Sequence, residues 1–184
     1  MSELHDLVLR KIGRNVLNFQ KIEGMLKFLV IHSNFKSPVS KIAETLKERK
    51  KNFEKQSLGS MAREYFKSFS TNMDHIHEYP EDRDEPWCSF SFTINSEDGD
   101  LSQEKAAFSF LISERNRLIH QMLTGYNPDS IESCNALILE LDKQHELIDT
   151  HYKSVRASLK NLFEANKKLL EEYIQESGDL SGNG

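Results

Sequence analysis

Three groups of side chains in this chain have residue types and spacings that could do chemistry. Asp74-His75-Ile76-His77-Glu78 gathers metal-ligand residue types, and on a strand its two histidines would share a face. No cysteine or further histidine follows at the spacing a zinc site uses, so a solvated loop or hairpin is the expectation there. His145-Glu146 with His151 does not have the zinc-protease spacing, because residues i and i+6 of a helix point about 120° apart. The third group sits in Leu111-Ile112-Ser113-Glu114-Arg115-Asn116-Arg117-Leu118-Ile119-His120-Gln121-Met122-Leu123. There Arg115, Asn116 and His120 interrupt an apolar helix pattern, and such residues need partners because an unpaired buried arginine is very costly. Asn116 and His120 are i and i+4, hence neighbours on one face. Arg115 and His120 lie about 140° apart around the axis, so they do not stack within one helix. Two copies of the helix meeting across a dyad would bring them together more easily. The spacing itself therefore favours a dimeric site.

The elements that must position this group are mostly helical. Residues 2–33 read as one helix, with Leu4, Val8, Ile12, Val16, Phe19, Ile22, Leu26 and Leu29 stepping by three and four along one face. Ser37 followed by Pro38 signals a new helix start. Ile42 and Leu46 of that helix face inward, and polarity then takes over through Glu48-Arg49-Lys50-Lys51-Asn52, a basic run whose default is a solvated face. Ser57-Leu58-Gly59-Ser60 interrupts, and residues 61–69 resume as a short amphipathic helix with Met61, Tyr65, Phe66 and Phe69.

The middle of the chain changes character. After an acidic loop bracketed by Pro80 and Pro86, the residues Cys88, Phe90, Phe92 and Ile94 alternate with Ser89, Ser91 and Thr93. That period of two predicts a strand, and residues 75–79 are the nearby candidate for its hairpin partner. Residues 102–123 return to a helix, Gly125 ends it, and Asn127-Pro128-Asp129 starts the last one. That last helix carries a heptad: Ile131, Cys134, Ile138, Leu141, His145, Ile148, Tyr152, Val155, Leu159, Leu162, Asn166, Leu169 and Tyr173. Unbroken from Pro128 to Gln175 it would span about 72 Å, more than the diameter of a domain this size. It must bend, break near residues 145–151, or project toward a second subunit.

Bulk properties narrow the function classes. The chain has 184 residues, and 24 basic against 29 acidic side chains give a net charge of −5. With a pI near 5.8, this is not a dedicated wrapper of nucleic acid, although a small basic site on an acidic body remains compatible. The 2 cysteines, Cys88 and Cys134, fit a reducing compartment rather than a disulfide-stapled secreted domain. The N-terminus has no signal-peptide pattern, and the run Phe28-Leu29-Val30-Ile31 is far too short for a bilayer. A cytoplasmic protein without membrane contact is expected. No glycine-rich phosphate loop, nucleophile elbow or paired-cysteine motif is present.

The Arg115-Asn116 pair followed by His120, in the penultimate helix before a long terminal one, resembles the signature of the HEPN superfamily. In that signature an Arg is followed a few residues later by His, with Asn, Asp or His directly after the Arg. The long first helix, the Ser-Leu-Gly turn and the helical frame are similar too, over residues 2–165, with the strand region as an insertion. Some toxin members carry a Tyr two residues after the His; Met122 stands there in this chain.

The resemblance implies a mainly all-α fold: a HEPN-like helical bundle with a small β-hairpin insertion at residues 73–97 and a long C-terminal helix. Residues 1–176 would form one domain, and residues 177–184 a flexible tail. It implies metal-independent endoribonuclease chemistry of a toxin or antiviral defence system, at a homodimer interface, with RNA as substrate and no cofactor or metal. His120 would be general base or acid on a ribose 2′-hydroxyl or leaving oxygen, its ordinary pKa lying near working pH. Arg115 would offset charge developing on the phosphate, and Asn116 would orient the imidazole or hold a phosphate oxygen. Arg117, Lys50 and Lys51 would bind flanking phosphates. An antitoxin or other regulatory partner would restrain the activity. The alternatives are a catalytically silent HEPN-like scaffold binding RNA, a nucleotide or a protein, and a coiled-coil adaptor using the last helix as its interface.

Overall fold

The computed structural model describes residues 3–70, 85–91 and 101–181. They form five helices and two short strands: α1 (Glu3–His32), β1 (Phe35–Pro38), α2 (Ile42–Glu54), α3 (Leu58–Ser70), β2 (Trp87–Phe90), α4 (Ser102–His120) and α5 (Ile131–Ser181). A single 3-10 turn, Val39–Lys41, leads into α2. The protein is a mainly all-α helical bundle. Among the described residues no helix is long and apolar enough to cross a membrane.

The three-and-four pattern of α1 buries Val8, Phe19, Ile22, Leu26 and Leu29 against Leu141, Ile148, Val155 and Leu162 of α5 and against α3, in one continuous core. Lys11 bonds Asp142, Asn15 bonds Gln144, and the Phe28 ring meets Phe163, so α1 and α5 run in parallel. Of the three outcomes open to this helix, the break near residues 145–151 does not occur, since α5 is continuous over 51 residues. At about 1.5 Å per residue it is roughly 76 Å long against about 45 Å for α1. Its C-terminal turns therefore run on beyond the end of α1, and Leu169 there is exposed. The assigned helix also continues through Gly178, into the stretch that reads as a tail.

The strand pairing corrects the sequence reading. β2 pairs antiparallel with β1, in the register Phe35↔Phe90, Lys36↔Ser89, Ser37↔Cys88 and Pro38↔Trp87. Among the described residues its partner is β1; residues 75–79, the expected hairpin partner, lie outside the described residues together with Asp74. The Phe35 and Phe90 rings approach to 6.1 Å, and the Lys36 ammonium lies 5.8 Å from the Trp87 ring centroid. These cross-strand contacts stabilise a non-local pair that proximity along the chain does not reveal.

Ser37-Pro38 is likewise the end of β1 and not a helix start. Pro38 is extended, with φ −53° and ψ 142°, a conformation its ring and lack of an N–H allow at a strand end. The Ser37 hydroxyl bonds Thr45 at 2.9 Å instead of capping. α2 then packs on α1, where Arg49 donates to the C-terminal carbonyls of Val30 and Ile31 at 2.6 and 2.9 Å. A cation is favoured at that end of a helix, and its donors satisfy acceptors that have no partner within α1.

Candidate active site on α4

α3 and α4 lie antiparallel, with Gly59 at the start of α3 set against Ile112 in the middle of α4. A Cβ at Gly59 would stand 3.5 Å from the Ile112 side chain. This close approach leaves a cleft of about 400 Å³ above the contact, lined by Ser57, Ser60 and Arg63 from the α3 end and by Ser109, Arg115 and Asn116 from α4. Ser57 caps α3, its hydroxyl accepting from the Ser60 amide at 3.4 Å. Arg115 is half-buried and Asn116 exposed, and the guanidinium donates to the Asn116 side-chain oxygen at 3.1 Å. Two of the three catalytic residues expected from the sequence, Arg115 and Asn116, therefore line one cleft.

His120 is not in that cleft. It is the last residue of α4 and is exposed, and the Gln121 and Met122 amides both bond the Arg117 carbonyl as the helix closes. Along α4, Ser102, Ala106, Ser109, Ser113, Asn116 and His120 recur at steps of three and four and are all exposed. They form a stripe of small and polar side chains facing solvent. Asn116 and His120 share this stripe, while Arg115 points toward α3.

Arg117 occupies a different setting. Its guanidinium donates two bonds to the Glu114 carboxylate, at 3.0 and 2.9 Å, and a third to Glu140 at 3.0 Å. The paired hydrogen bond from Arg117 holds the Glu114 carboxyl below its ordinary value, against the opposing effect of burial, and Gln144 adds to it. The same carboxylate hydrogen bond raises the Arg117 pKa. Lys50 and Lys51 are exposed on α2, whose packing partners are α1, the 3-10 turn and β1 rather than α4. The structure does not gather them with Arg115.

Behind α4 runs a polar chain that the sequence pattern does not reveal. Asn15, fully buried on α1, donates to the Leu141 carbonyl at 2.8 Å and to the Gln144 side chain at 3.2 Å. Gln144, also buried, donates to the Glu114 backbone carbonyl at 3.0 Å and to its carboxylate at 3.2 Å. α1, α5 and α4 are thus tied through two amides to the residue preceding Arg115. Asn15 sits within an amphipathic pattern as a polar residue of unremarked type, so only its i-to-i+4 neighbourhood with Phe19 signals burial. Ser57, Ser60 and Arg63 were also missed as cleft residues; the Ser-Leu-Gly-Ser turn was their signal.

Two histidines of α5 are drawn into the packing. His151 is buried with its ring 4.8 Å from Phe108, edge to face, and burial lowers its pKa. Burial, reinforced by the charge of Arg14, lowers that of His145. The His145 Nδ1 atom has no hydrogen-bond partner among the described residues. Asn166, the other polar heptad position, is exposed. No group of three or more His, Cys, Asp or Glu side chains among the described residues is placed to hold a metal ion.

Comparisons with protein-family models, with curated proteins and with solved structures returned no match for this chain.

Proposed function

We propose that this protein is a metal-independent endoribonuclease of HEPN-like type, acting as a homodimer in which α4 of one protomer faces α4 of the other. The observation that supports this most is the exposed stripe on α4. Its small residues allow two helices to approach closely, and it carries Asn116 and His120 in its last turns, beside Arg115. Across a dyad the His120 of one copy would come near the cleft of the other, which a single copy does not achieve. His120 would then exchange a proton with the ribose 2′-hydroxyl or the leaving oxygen, while Arg115 offsets charge on the phosphate. Attack by a 2′-hydroxyl needs no metal and leaves 2′,3′-cyclic phosphate ends. A toxin or antiviral role with a restraining partner, in the cytoplasm, fits such an activity.

The test is cleavage of single-stranded RNA by purified protein with EDTA present. Cyclic phosphate ends and no cutting of DNA of the same sequence are expected, together with a dimer mass by light scattering. A monomer at micromolar concentration would remove the composite site. One observation favours a second reading, a catalytically silent HEPN-like scaffold that binds RNA, a nucleotide or a protein. Within one protomer His120 lies outside the Arg115 cleft, so the cleft can hold a ligand without a proton-transfer group. Growth arrest on overexpression, lost in Arg115→Ala, separates the two readings.

A further inference from the structure

The Arg115 cleft does not end at Arg63. A second cavity of about 340 Å³ adjoins it, sharing Arg63, Ser109 and Ile112 and extending to Lys67 on α3 and Lys105 on α4. Because the two helices are antiparallel, the cavities make one groove along their seam, and the 10 helical steps from Lys105 to Arg115 cover about 15 Å. Four cations line it, Arg63 and Lys67 on one wall and Lys105 and Arg115 on the other. No Asp or Glu is among the described residues that line it. On a chain of net charge −5, this is a local reversal of sign.

We infer that this α3–α4 groove is the track for a single-stranded RNA segment, with Arg63, Lys67 and Lys105 binding the phosphates that flank the one at Arg115. The inference rests on the ribonuclease reading for its choice of RNA, and adds to it a binding path and a strandedness. A groove of about 15 Å accommodates about four to five phosphates at roughly 3.4 Å per nucleotide of a stacked strand, and four cations line it. The hydroxyls of Ser57, Ser60 and Ser109 stand at the Arg115 end, where they can bond phosphate or ribose oxygens. The N-terminus of α3 opens at the same end and adds its positive dipole. A single helix seam offers one line of positive charge, which one backbone can follow, whereas a duplex carries two backbones. The groove floor, Phe66 and Phe108, is buried, so recognition is by backbone charge and tolerates any base sequence. An acidic peptide is the competing occupant, and poly-glutamate stands for it in the experiment below.

The experiment is fluorescence anisotropy on the His120→Ala protein, so that cleavage does not interfere. The probes are a 12-nucleotide single-stranded RNA, the blunt duplex of the same sequence, and poly-glutamate as competitor. Tight binding of the single strand is expected, with affinity falling with salt at a logarithmic slope of about −3 for four phosphates. Lys67→Gln with Lys105→Gln should weaken binding about tenfold or more and make that slope shallower by about 1.4. Unchanged melting of the double variant checks that it is folded. Equal affinity for the duplex, an unchanged slope in the double variant, or binding of poly-glutamate without RNA would each overturn the groove. Single-strand binding in the groove by a wild-type dimer that cuts nothing would instead sink the ribonuclease reading and leave the groove standing. Normal cleavage by Lys67→Gln with Lys105→Gln would do the opposite.

Discussion

Arg115 and Arg117 are two residues apart on α4, yet they inhabit opposite electrostatic settings. Arg115 faces α3 across a seam whose described lining residues are cationic or neutral, and among the described residues its side chain bonds the Asn116 amide oxygen. Arg117 faces α5 and is gripped by two carboxylates. A guanidinium paired in this way has its charge offset and its fork occupied, so a phosphate would have to compete with Glu114 and Glu140. Two arginines that look equivalent in the sequence thus differ in what they can still bind. The helix presents charge on one side and consumes it on the other.

The largest effect that can sharpen this contrast is catalytic. His120→Ala should lower RNA cleavage by about 10² to 10⁴ by removing proton transfer, and Arg115→Ala should abolish it. Both proteins should keep the wild-type melting temperature and mass, because neither side chain holds the core. If either variant melts early or dissociates beside a parent that cuts no RNA, the motif is structural and the contrast has no catalytic meaning.

Next comes the support behind α4. Asn15→Ala should cost about 1–3 kcal/mol by leaving the Leu141 carbonyl and the Gln144 amide short of a buried partner. For a chain of this size that is a fall in Tm of roughly 2–4 °C for each kcal/mol, readable by calorimetry. A neutral result would mean that the amide chain can be rewired locally. Arg117→Ala should then act chiefly on stability, by freeing the partly buried Glu114, while the salt slope of RNA binding stays near that of wild type. A slope shallower by about 0.7 would show that Arg117 contacts a phosphate despite its carboxylates.

The smallest expected effect is a pH dependence. Burial depresses the pKa of His151 and of His145 in the folded protein, so folding favours their neutral forms. The unfolded chain then binds more protons in the window just below the ordinary value of 6.5, and stability rises with pH there. Their contribution is complete above about 6.5 and is lost as pH falls through the folded values. The groups facing His145 include Arg14 and Lys11, which reinforce the depression, and Asp149 and Asp142, which oppose it. Melting curves from pH 7.5 to 5 should show a decline, smaller in His151→Leu than in wild type. No difference between the two would assign the decline to other groups.

Much of the fold was legible because helical periodicity is local. The residues of α1 that step by three and four are the ones that meet α5, whereas the helix bounds shift: α3 starts at Leu58, inside the turn expected to interrupt, and α4 closes at His120, five residues before Gly125. The β1–β2 pair was not legible, because Ser37-Pro38 fits a helix start as well as a strand end, and only the non-local partner decides between them. At the site, the types and spacing of Arg115, Asn116 and His120 could be read, but not their surroundings. That Arg63, Lys67 and Lys105 join Arg115 depends on the antiparallel pairing of α3 and α4. That Arg117 is paired from a second side depends on Glu140 coming from another helix, 23 residues away.

The length of α5 has a hydrodynamic consequence. A compact chain of this size has a radius of gyration of about 16 Å and hence a diameter near 40 Å, whereas α5 alone extends over roughly 76 Å. The molecule is a rod-bearing particle that drags more solvent and tumbles more slowly than a sphere of its mass. A monomer will elute early from a sizing column and can pass for the dimer proposed for the α4 site. Mass must therefore be read from scattered light or from sedimentation equilibrium, neither of which depends on shape, and the elution volume reports the rod.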